Sequence, residues 1–94
     1  MARTTVLSIP ALTWTQITND DVTTITFQNR SEYDCYVAVT TDETAPTDLS
    51  TAVEYGPGRG ENSLTLSSAF DGTSGADRVW VYARDPIDFF VSHA

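Results

Sequence analysis

Apolar and polar residues alternate along most of this chain, and no other feature of the sequence restricts its fold as strongly. A period of two indicates β-strands with one buried face, and the alternating segments are filled with the β-branched and aromatic residues that favour pleated surfaces. The clearest such strand covers residues 33–40. Its predicted inward residues are Tyr33, Cys35, Val37 and Val39, and its predicted outward residues are Asp34, Ala38 and Thr40.

Six further segments have the same strand character, and turn-forming residues separate nearly every pair of them. They cover residues 12–18, 22–28, 52–55, 63–67, 78–84 and 87–92. In the second of them Ile25 and Phe27 share one face, which we expect to be buried. This spacing predicts an all-β domain, a small antiparallel β-sandwich or a barrel-like, jelly-roll-like fold of about seven or eight strands.

Two connections have recognisable local chemistry. The segment Asn29-Arg30-Ser31-Glu32 reads as a hairpin turn, since Asn and Ser supply local backbone hydrogen bonds and tolerate turn conformations. Residues 67–72 are the only part of the chain with helical character. There we expect at most one turn of helix, capped by a serine and ended by Gly72, with Phe70 pointing inward.

The first ten residues have β character but end at Pro10, which cannot donate a hydrogen bond to a neighbouring strand. Two interpretations follow. The segment is either an edge strand of the chain's own sheet or an extended arm that adds a strand to a neighbouring subunit. We therefore divide the chain into residues 1–10, as this arm or edge strand, and residues 11–94, as a single β-sandwich domain.

The charge balance excludes several classes of partner. Thirteen acidic residues face five arginines and no lysine, which gives a net charge of −8 that repels nucleic acid and anionic lipid. No apolar run reaches the roughly 20 residues that cross a bilayer, and the first ten residues do not resemble a secretory signal. We expect synthesis in the cytoplasm, no nucleic acid or membrane partner, and a homo-oligomer, because a small domain without disulfides often relies on neighbours.

The residues that could carry catalysis are few. A Cys or Ser nucleophile needs a nearby base, and His93, the only histidine, lies next to the end of the given sequence, where we expect a frayed surface residue or subunit contact. Cys35 is predicted to be a buried small hydrophobe. The acidic pairs lie in or beside turns, and the Asp71–Asp77 loop lacks a calcium-binding pattern. We therefore expect no enzyme activity, no metal and no cofactor.

The best candidate binding surface is marked by five aromatic residues that we expect on faces opposite the core residues, namely Trp14, Tyr36, Trp80, Tyr82 and Phe90. In residues 78–84, Trp80 and Tyr82 form a second apolar row beside the core-facing one, and arginines flank them. Such a row is either covered in the fold or exposed as an interface, for which Trp, Tyr and Arg are typical anchors. The candidate interface residues are Val6, Leu7 and Ile9 of the N-terminal segment, Trp80, Tyr82, and Arg59 at the tip of a glycine-rich turn.

The chain resembles a group of small β-sandwich virion proteins encoded in the structural modules of tailed phages. The residues that carry the resemblance are Trp14-Thr15-Gln16-Ile17-Thr18, Ile25-Thr26-Phe27-Gln28-Asn29, Thr44-Ala45-Pro46-Thr47, Tyr55-Gly56-Pro57-Gly58, Arg78-Val79-Trp80-Val81-Tyr82 and Val91-Ser92-His93-Ala94. These are strand and turn patterns without a chemical motif. The resemblance implies a capsid decoration (cement) protein or a similar accessory component, present in many symmetric copies, located in the virion and without enzymatic activity.

Three functions follow as expectations. The first is a cement protein that binds the major capsid protein, or other virion proteins, on the outer face of the head at capsomer junctions, with a trimer as one possible state. The second is a structural component of the neck, tail or fibre base. The third, from another class, is a carbohydrate-binding module that stacks sugar rings on Trp80 and Tyr82.

Overall fold

The computed structural model describes residues 2–19 and 21–94 and has eight strands and one short helix. The strands are β1 (Arg3–Ile9), β2 (Thr15–Gln16), β3 (Thr24–Asn29), β4 (Cys35–Thr40), β5 (Val53–Tyr55), β6 (Gly60–Thr65), β7 (Arg78–Ala83) and β8 (Ile87–His93). The helix α1 (Leu66–Ala69) lies between β6 and β7.

The strands form two antiparallel four-stranded sheets. The first sheet has the order β1-β8-β3-β6, and the second has the order β2-β7-β4-β5. Along the chain, every connection except that between β4 and β5 passes from one sheet to the other. Eight antiparallel strands wound in this alternating way form a jelly roll. The predicted all-β sandwich is therefore confirmed.

The core lies between the two sheets and is built from the alternating apolar residues of the central strands. Its buried members are Ile9, Ile17, Val22, Ile25, Phe27, Cys35, Val37, Leu66, Val79, Val81, Ala83, Ile87, Phe89 and Val91. Phe27 stacks on Phe89 at 5.5 Å between ring centroids, and its edge meets Tyr55 at 5.1 Å. The predicted inward positions of Ile25, Phe27, Cys35 and Val37 are confirmed by their burial.

The connection between β3 and β4 corrects the hairpin interpretation of Asn29–Glu32. β3 belongs to the first sheet and β4 to the second, so the segment is an arch between sheets. Asn29 is completely buried beneath this arch. Its Nδ2 donates to the carbonyl oxygens of Tyr33, Tyr55 and Gly56, and its Oδ1 accepts hydrogen bonds from the backbone N–H and the hydroxyl of Ser31. The turn residues predicted correctly that the chain reverses here, but they could not indicate which sheet it enters next.

Two residues of the predicted strand 33–40 differ from the expectation, Tyr33 in the direction it faces and Ala38 in its burial. Tyr33 lies before β4 begins and is 48% exposed, because the arch turns it away from the core. Ala38 is buried although it lies on the outer face of β4. It stands opposite Trp80 in the β4–β7 register, and its small side chain leaves room for the large indole beside it.

Three predicted boundaries also differ. The strand predicted at 12–18 is reduced to β2, and Leu12 upstream has φ 61°, a conformation incompatible with a continuous strand. β6 starts at Gly60, where a side chain would collide with the backbone of Phe27. The helix begins at Leu66 after Thr65, which makes no side-chain capping bond. It ends at Ala69, with Phe70 as the C-cap, and not at Gly72. Phe70 packs against the core as expected.

The N-terminal segment is an edge strand of the first sheet in this structure. All seven residues of β1 pair with β8, from Arg3 opposite His93 to Ile9 opposite Ile87. The Arg3 guanidinium donates to the carbonyl oxygen of Ile17 at 2.9 Å, and this bond links β1 to the segment that follows β2 in the other half of the sandwich.

Candidate interaction surfaces

A row of three aromatic rings crosses the outer face of the second sheet. It consists of Trp14, Tyr82 and Tyr36, which we call the Tyr82 row, and all three are partly exposed. The rings of Trp14 and Tyr82 lie 5.4 Å apart between centroids, and those of Tyr82 and Tyr36 lie 6.5 Å apart. Both pairs are tilted. Residues distant in sequence thus form one continuous aromatic surface.

Arg84 closes one end of the Tyr82 row. Its guanidinium lies 5.3 Å from the centroid of the Tyr36 ring and donates a hydrogen bond of 2.8 Å to the Tyr36 hydroxyl. These two contacts hold the cation over the ring, as in other cation–π pairs. The guanidinium therefore covers part of the Tyr36 ring.

Acidic side chains border the same end of the Tyr82 row. Glu32, Asp34 and Asp85 line a depression of about 270 Å³ together with Tyr33, Tyr36 and Arg84. Three carboxylates around one guanidinium leave a local excess of negative charge. A basic partner surface would complement this rim.

Trp80 does not contribute an exposed ring to this surface, although it lies on the same face as Tyr82. Its side chain is only 7% exposed, and its indole Nε1 donates a hydrogen bond of 2.8 Å to Thr40 Oγ1. The ring packs as a cover for the sheet above Ala38. Of the two interpretations of the predicted aromatic row, the covered one describes Trp80 and the exposed one describes Tyr82.

The remaining candidate interface residues are scattered over the molecule. Val6 is 46% exposed on the outer face of β1, Leu7 packs against the core, and Ile9 is buried. Arg59 is exposed at the turn between β5 and β6, as predicted. The structure therefore brings neither the β1 residues nor Arg59 to the Tyr82 row, which instead gains Trp14 and Tyr36.

Cys35 and His93 are both buried, and they belong to different sheets. Burial raises the pKa of the Cys35 thiol to about 12, and the negative charges of Asp34 and Glu54 act in the same direction. Such a thiol stays protonated and unreactive at neutral pH.

The expectation that His93 frays at the surface is wrong. It is the last residue of β8 and pairs with both Arg3 and Ile25. The ring is 7% exposed, its Nδ1 lies 2.9 Å from the Ala94 carbonyl oxygen, and its buried Nε2 makes no hydrogen bond.

Within residues 2–19 and 21–94, no three His, Cys, Asp or Glu side chains come together as a metal-binding group would require. In the same residues, no helix has the length and apolar character needed to span a bilayer. The Asp71–Asp77 loop is held by backbone hydrogen bonds from Thr73 to Phe70 and from Ala76 to Thr73.

Comparisons with protein-family models, with curated proteins and with solved structures find no match to this chain. Sequence reasoning placed Trp14 and Tyr36 opposite the core residues but did not predict that they join Tyr82 in one row. Their aromatic character was the only available signal, because their proximity depends on strand order.

Proposed function

We propose that this chain is a non-enzymatic structural protein of a phage virion, a decoration or cement protein that binds the outer face of the head at capsomer junctions. The Tyr82 row is the surface that contacts the major capsid protein. Its rings and the adjacent Arg84 belong to the side-chain types that most often anchor protein interfaces. This partly exposed aromatic row on an acidic molecule is the observation that carries the proposal.

Charge supports an external position and a basic partner surface. A protein with net charge −8 is repelled by packaged DNA, so the inside of the head is unfavourable. The acidic rim formed by Glu32, Asp34 and Asp85 would meet lysines or arginines of the shell. Many symmetric copies would then stabilise the assembled shell, since each binds the assembled form and not the free subunit.

The fold agrees with this role but does not assign it. Jelly rolls occur in viral capsid proteins and also in lectins, and a fold alone does not define a function. The same proposal covers a second structural position, in the neck, tail or fibre base, where the contacts would be similar but the copies fewer.

A carbohydrate-binding module is the second candidate function, because Trp14 and Tyr82 are partly exposed on a jelly-roll face. Two observations weigh against it. Trp80 is buried, and Arg84 lies over the Tyr36 ring, so two of the four rings on this face lack a free surface for a sugar. A change in tryptophan fluorescence on addition of a glycan would favour this candidate over the virion role.

Binding to empty, expanded heads tests the docking surface. We expect Tyr82→Ala to weaken binding by at least tenfold, the usual effect of truncating an interface anchor worth more than about 1.4 kcal/mol. Phe90→Ala is the matched control, since it removes a partly exposed ring from the outer face of the first sheet, away from the Tyr82 row. Equal binding by the two variants, both folded by circular dichroism, would contradict docking through this row.

Copy number separates the structural positions. Mass spectrometry of purified virions should give roughly hundreds of copies per particle for a cement protein and roughly a dozen or fewer for a neck, tail or fibre-base component. Absence of the chain from purified virions would reject the virion role as a whole.

A further inference from the structure

The four sheet edges of the sandwich differ in how well they can accept another strand. β2 has two residues and β5 has three, so both are too short to offer a regular edge. β6 has six residues, but its pairing with β3 shifts register between Ile25 and Phe27, and Ser63 has φ 53°. β1 alone among these edges is both long and regular, with seven residues in unbroken register. Long regular edges are sites of strand addition unless they are protected.

The backbone groups that β1 leaves open follow from the register. The backbone N–H of Arg30 donates to the carbonyl oxygen of Asp88, so the backbone N–H and C=O of Asp88 point toward β3 and away from β1. Ser8 stands opposite Asp88, so the backbone N–H and C=O of Ser8 point away from β8. Alternation along a regular strand gives Val6 and Thr4 the same direction. Thr4, Val6 and Ser8 therefore offer three donors and three acceptors that are not bonded to β8. We call these open N–H and C=O groups the β1 edge.

The side chains at the β1 edge are uncharged. Thr4, Val6 and Ser8 are exposed on the outer face of the first sheet, and Val6 stands beside Phe90 of β8. Arg3, the only charged residue among the first nineteen, is engaged with the Ile17 carbonyl oxygen. The protective devices that natural edges use are an inward charge, a lysine, a proline or a bulge. The described residues of β1 include none of these within the stretch from Thr4 to Ser8.

We propose that the β1 edge pairs with the β1 edge of a second copy of this chain, antiparallel and two-fold symmetric about Val6. Val6 then faces Val6 of the second copy, and Thr4 faces its Ser8. Each of the three open residues of one copy then forms a hydrogen-bonded pair with a residue of the other copy. Three pairs with two bonds each give six hydrogen bonds between the copies. The two first sheets join into one sheet of eight strands.

This register satisfies more open backbone groups than the registers shifted by one or two residues do. A shift by one residue would oppose open groups to groups already bonded to β8. A shift by two would leave one of the three open residues without a partner from the β1 edge. Pro10 has the same direction as Ser8 but no N–H, so the pairing cannot extend beyond Ser8. Thr4 opposite Ser8 also places two hydroxyl-bearing side chains side by side, a favourable cross-strand pair.

Charge selects a second copy as the occupant. A basic partner would be drawn to the acidic surfaces elsewhere, whereas two copies with net charge −8 meet with least repulsion where acidic residues are absent. The nearest acidic side chain along β8 is Asp88, beside Ser8. In the proposed pair the two Asp88 residues lie about 20 Å apart, from the spacing of strands and the rise per residue, and are screened at physiological salt.

Sedimentation equilibrium over a concentration series tests the pairing. We expect a monomer–dimer equilibrium for the wild type. Val6→Pro removes the open N–H without touching a bond to β8, and it should weaken dimerisation at least tenfold while the melting temperature stays close to that of the wild type. Val6→Thr keeps the N–H and the β-branched shape, so it should dimerise like the wild type.

The opposite results are equally clear. A wild type that stays monomeric at millimolar concentration, a trimer, or a Val6→Pro dimer as strong as the wild type would overturn the proposal. If Val6→Pro fails to fold, a nitroxide label on Asp88→Cys provides a second test of the proposal. Pulsed electron resonance should then give a distance of about 20–30 Å between the labels of the two copies, linkers included. The proposal does not depend on the virion role, since it concerns the purified protein.

Discussion

Asn29 donates a hydrogen bond of 2.6 Å from its side-chain Nδ2 to the carbonyl oxygen of Tyr33. The same amide reaches the carbonyl oxygens of Tyr55 and Gly56. One buried side chain therefore fixes the arch between β3 and β4 and the turn between β5 and β6. The arch carries Tyr33 and Asp34, which border the acidic end of the Tyr82 row, so Asn29 supports the candidate site from within the fold.

Replacing Asn29 should be among the most damaging single changes outside the apolar core. Asn29→Ala removes the buried amide that bonds the carbonyl oxygens of Tyr33, Tyr55 and Gly56, and we expect it to lower the free energy of unfolding by about 3 kcal/mol. Gln28→Ala is the matched control, because Gln28 is exposed and donates one side-chain bond, to the Gly58 carbonyl oxygen. Its cost should stay below about 1 kcal/mol in urea denaturation. Similar costs for the two variants would contradict the role assigned to Asn29.

Gly60 is required by the close approach of β6 to β3. A Cβ at Gly60 would meet the Phe27 carbonyl oxygen and would lie 2.7 Å from the Gln28 Cα, so Gly60→Ala must displace backbone. We expect a loss of about 2 kcal/mol or more in thermal or urea unfolding. A Cβ at Gly72 meets nothing within 4 Å, so Gly72→Ala should change stability by less than about 0.5 kcal/mol. A stable Gly60→Ala protein would show that β6 can move away from β3.

Stability should fall at alkaline pH because of Cys35. Its folded-state pKa is raised from 9.0 to about 12, so the unfolded chain releases this proton first and ionisation favours unfolding as pH rises from 9 to 12. The loss is at most about 4 kcal/mol at the upper end. In Cys35→Ala the free energy of unfolding should decline less steeply over this range. An unchanged slope would show that the thiol does not control it.

Tyr55 contributes to the same loss of stability at alkaline pH, but over a narrower pH range. Burial raises its pKa from 10.0 to about 12, and the nearby Glu61 carboxylate, which accepts a hydrogen bond from its hydroxyl, acts in the same direction. Tyr55→Phe should therefore flatten the decline only between pH 10 and 12. The double variant with Cys35→Ala should be flatter than either single one.

His93→Leu should not destabilise the protein at neutral pH. The buried Nε2 makes no hydrogen bond, so replacing the imidazole by an apolar side chain of similar size removes an unsatisfied polar group. We expect a gain of about 1 kcal/mol in the free energy of unfolding. His93→Asn keeps a polar group in the same place and should be less stable than His93→Leu. The reverse order would indicate a hydrogen-bond partner for Nε2.

The strands could be predicted because one covered face leaves a period of two. Ile25, Phe27, Cys35 and Val37 show this, since their neighbours along the strand are less apolar. Ala38 faces outward as predicted, but its burial could not be predicted because its cover comes from Trp80 on another strand, and only the register reveals this. For the same reason the sequence predicted that Trp14, Tyr36 and Tyr82 face away from the core but not that they form one row. Trp14 and Tyr36 join Tyr82 through pairings that alternation alone does not encode.

β8 lies between β1 and β3, so the last strand of the jelly roll holds the first strand in place. During synthesis, β1 and β3 both leave the ribosome before β8, the strand that pairs with each of them, has been made. Until residues 87–93 have emerged, the first sheet has a gap at its centre and both neighbouring strands expose open edges. The first sheet therefore cannot close before β8 has emerged, and chains that end before β8 should expose both open edges to chaperones or proteases.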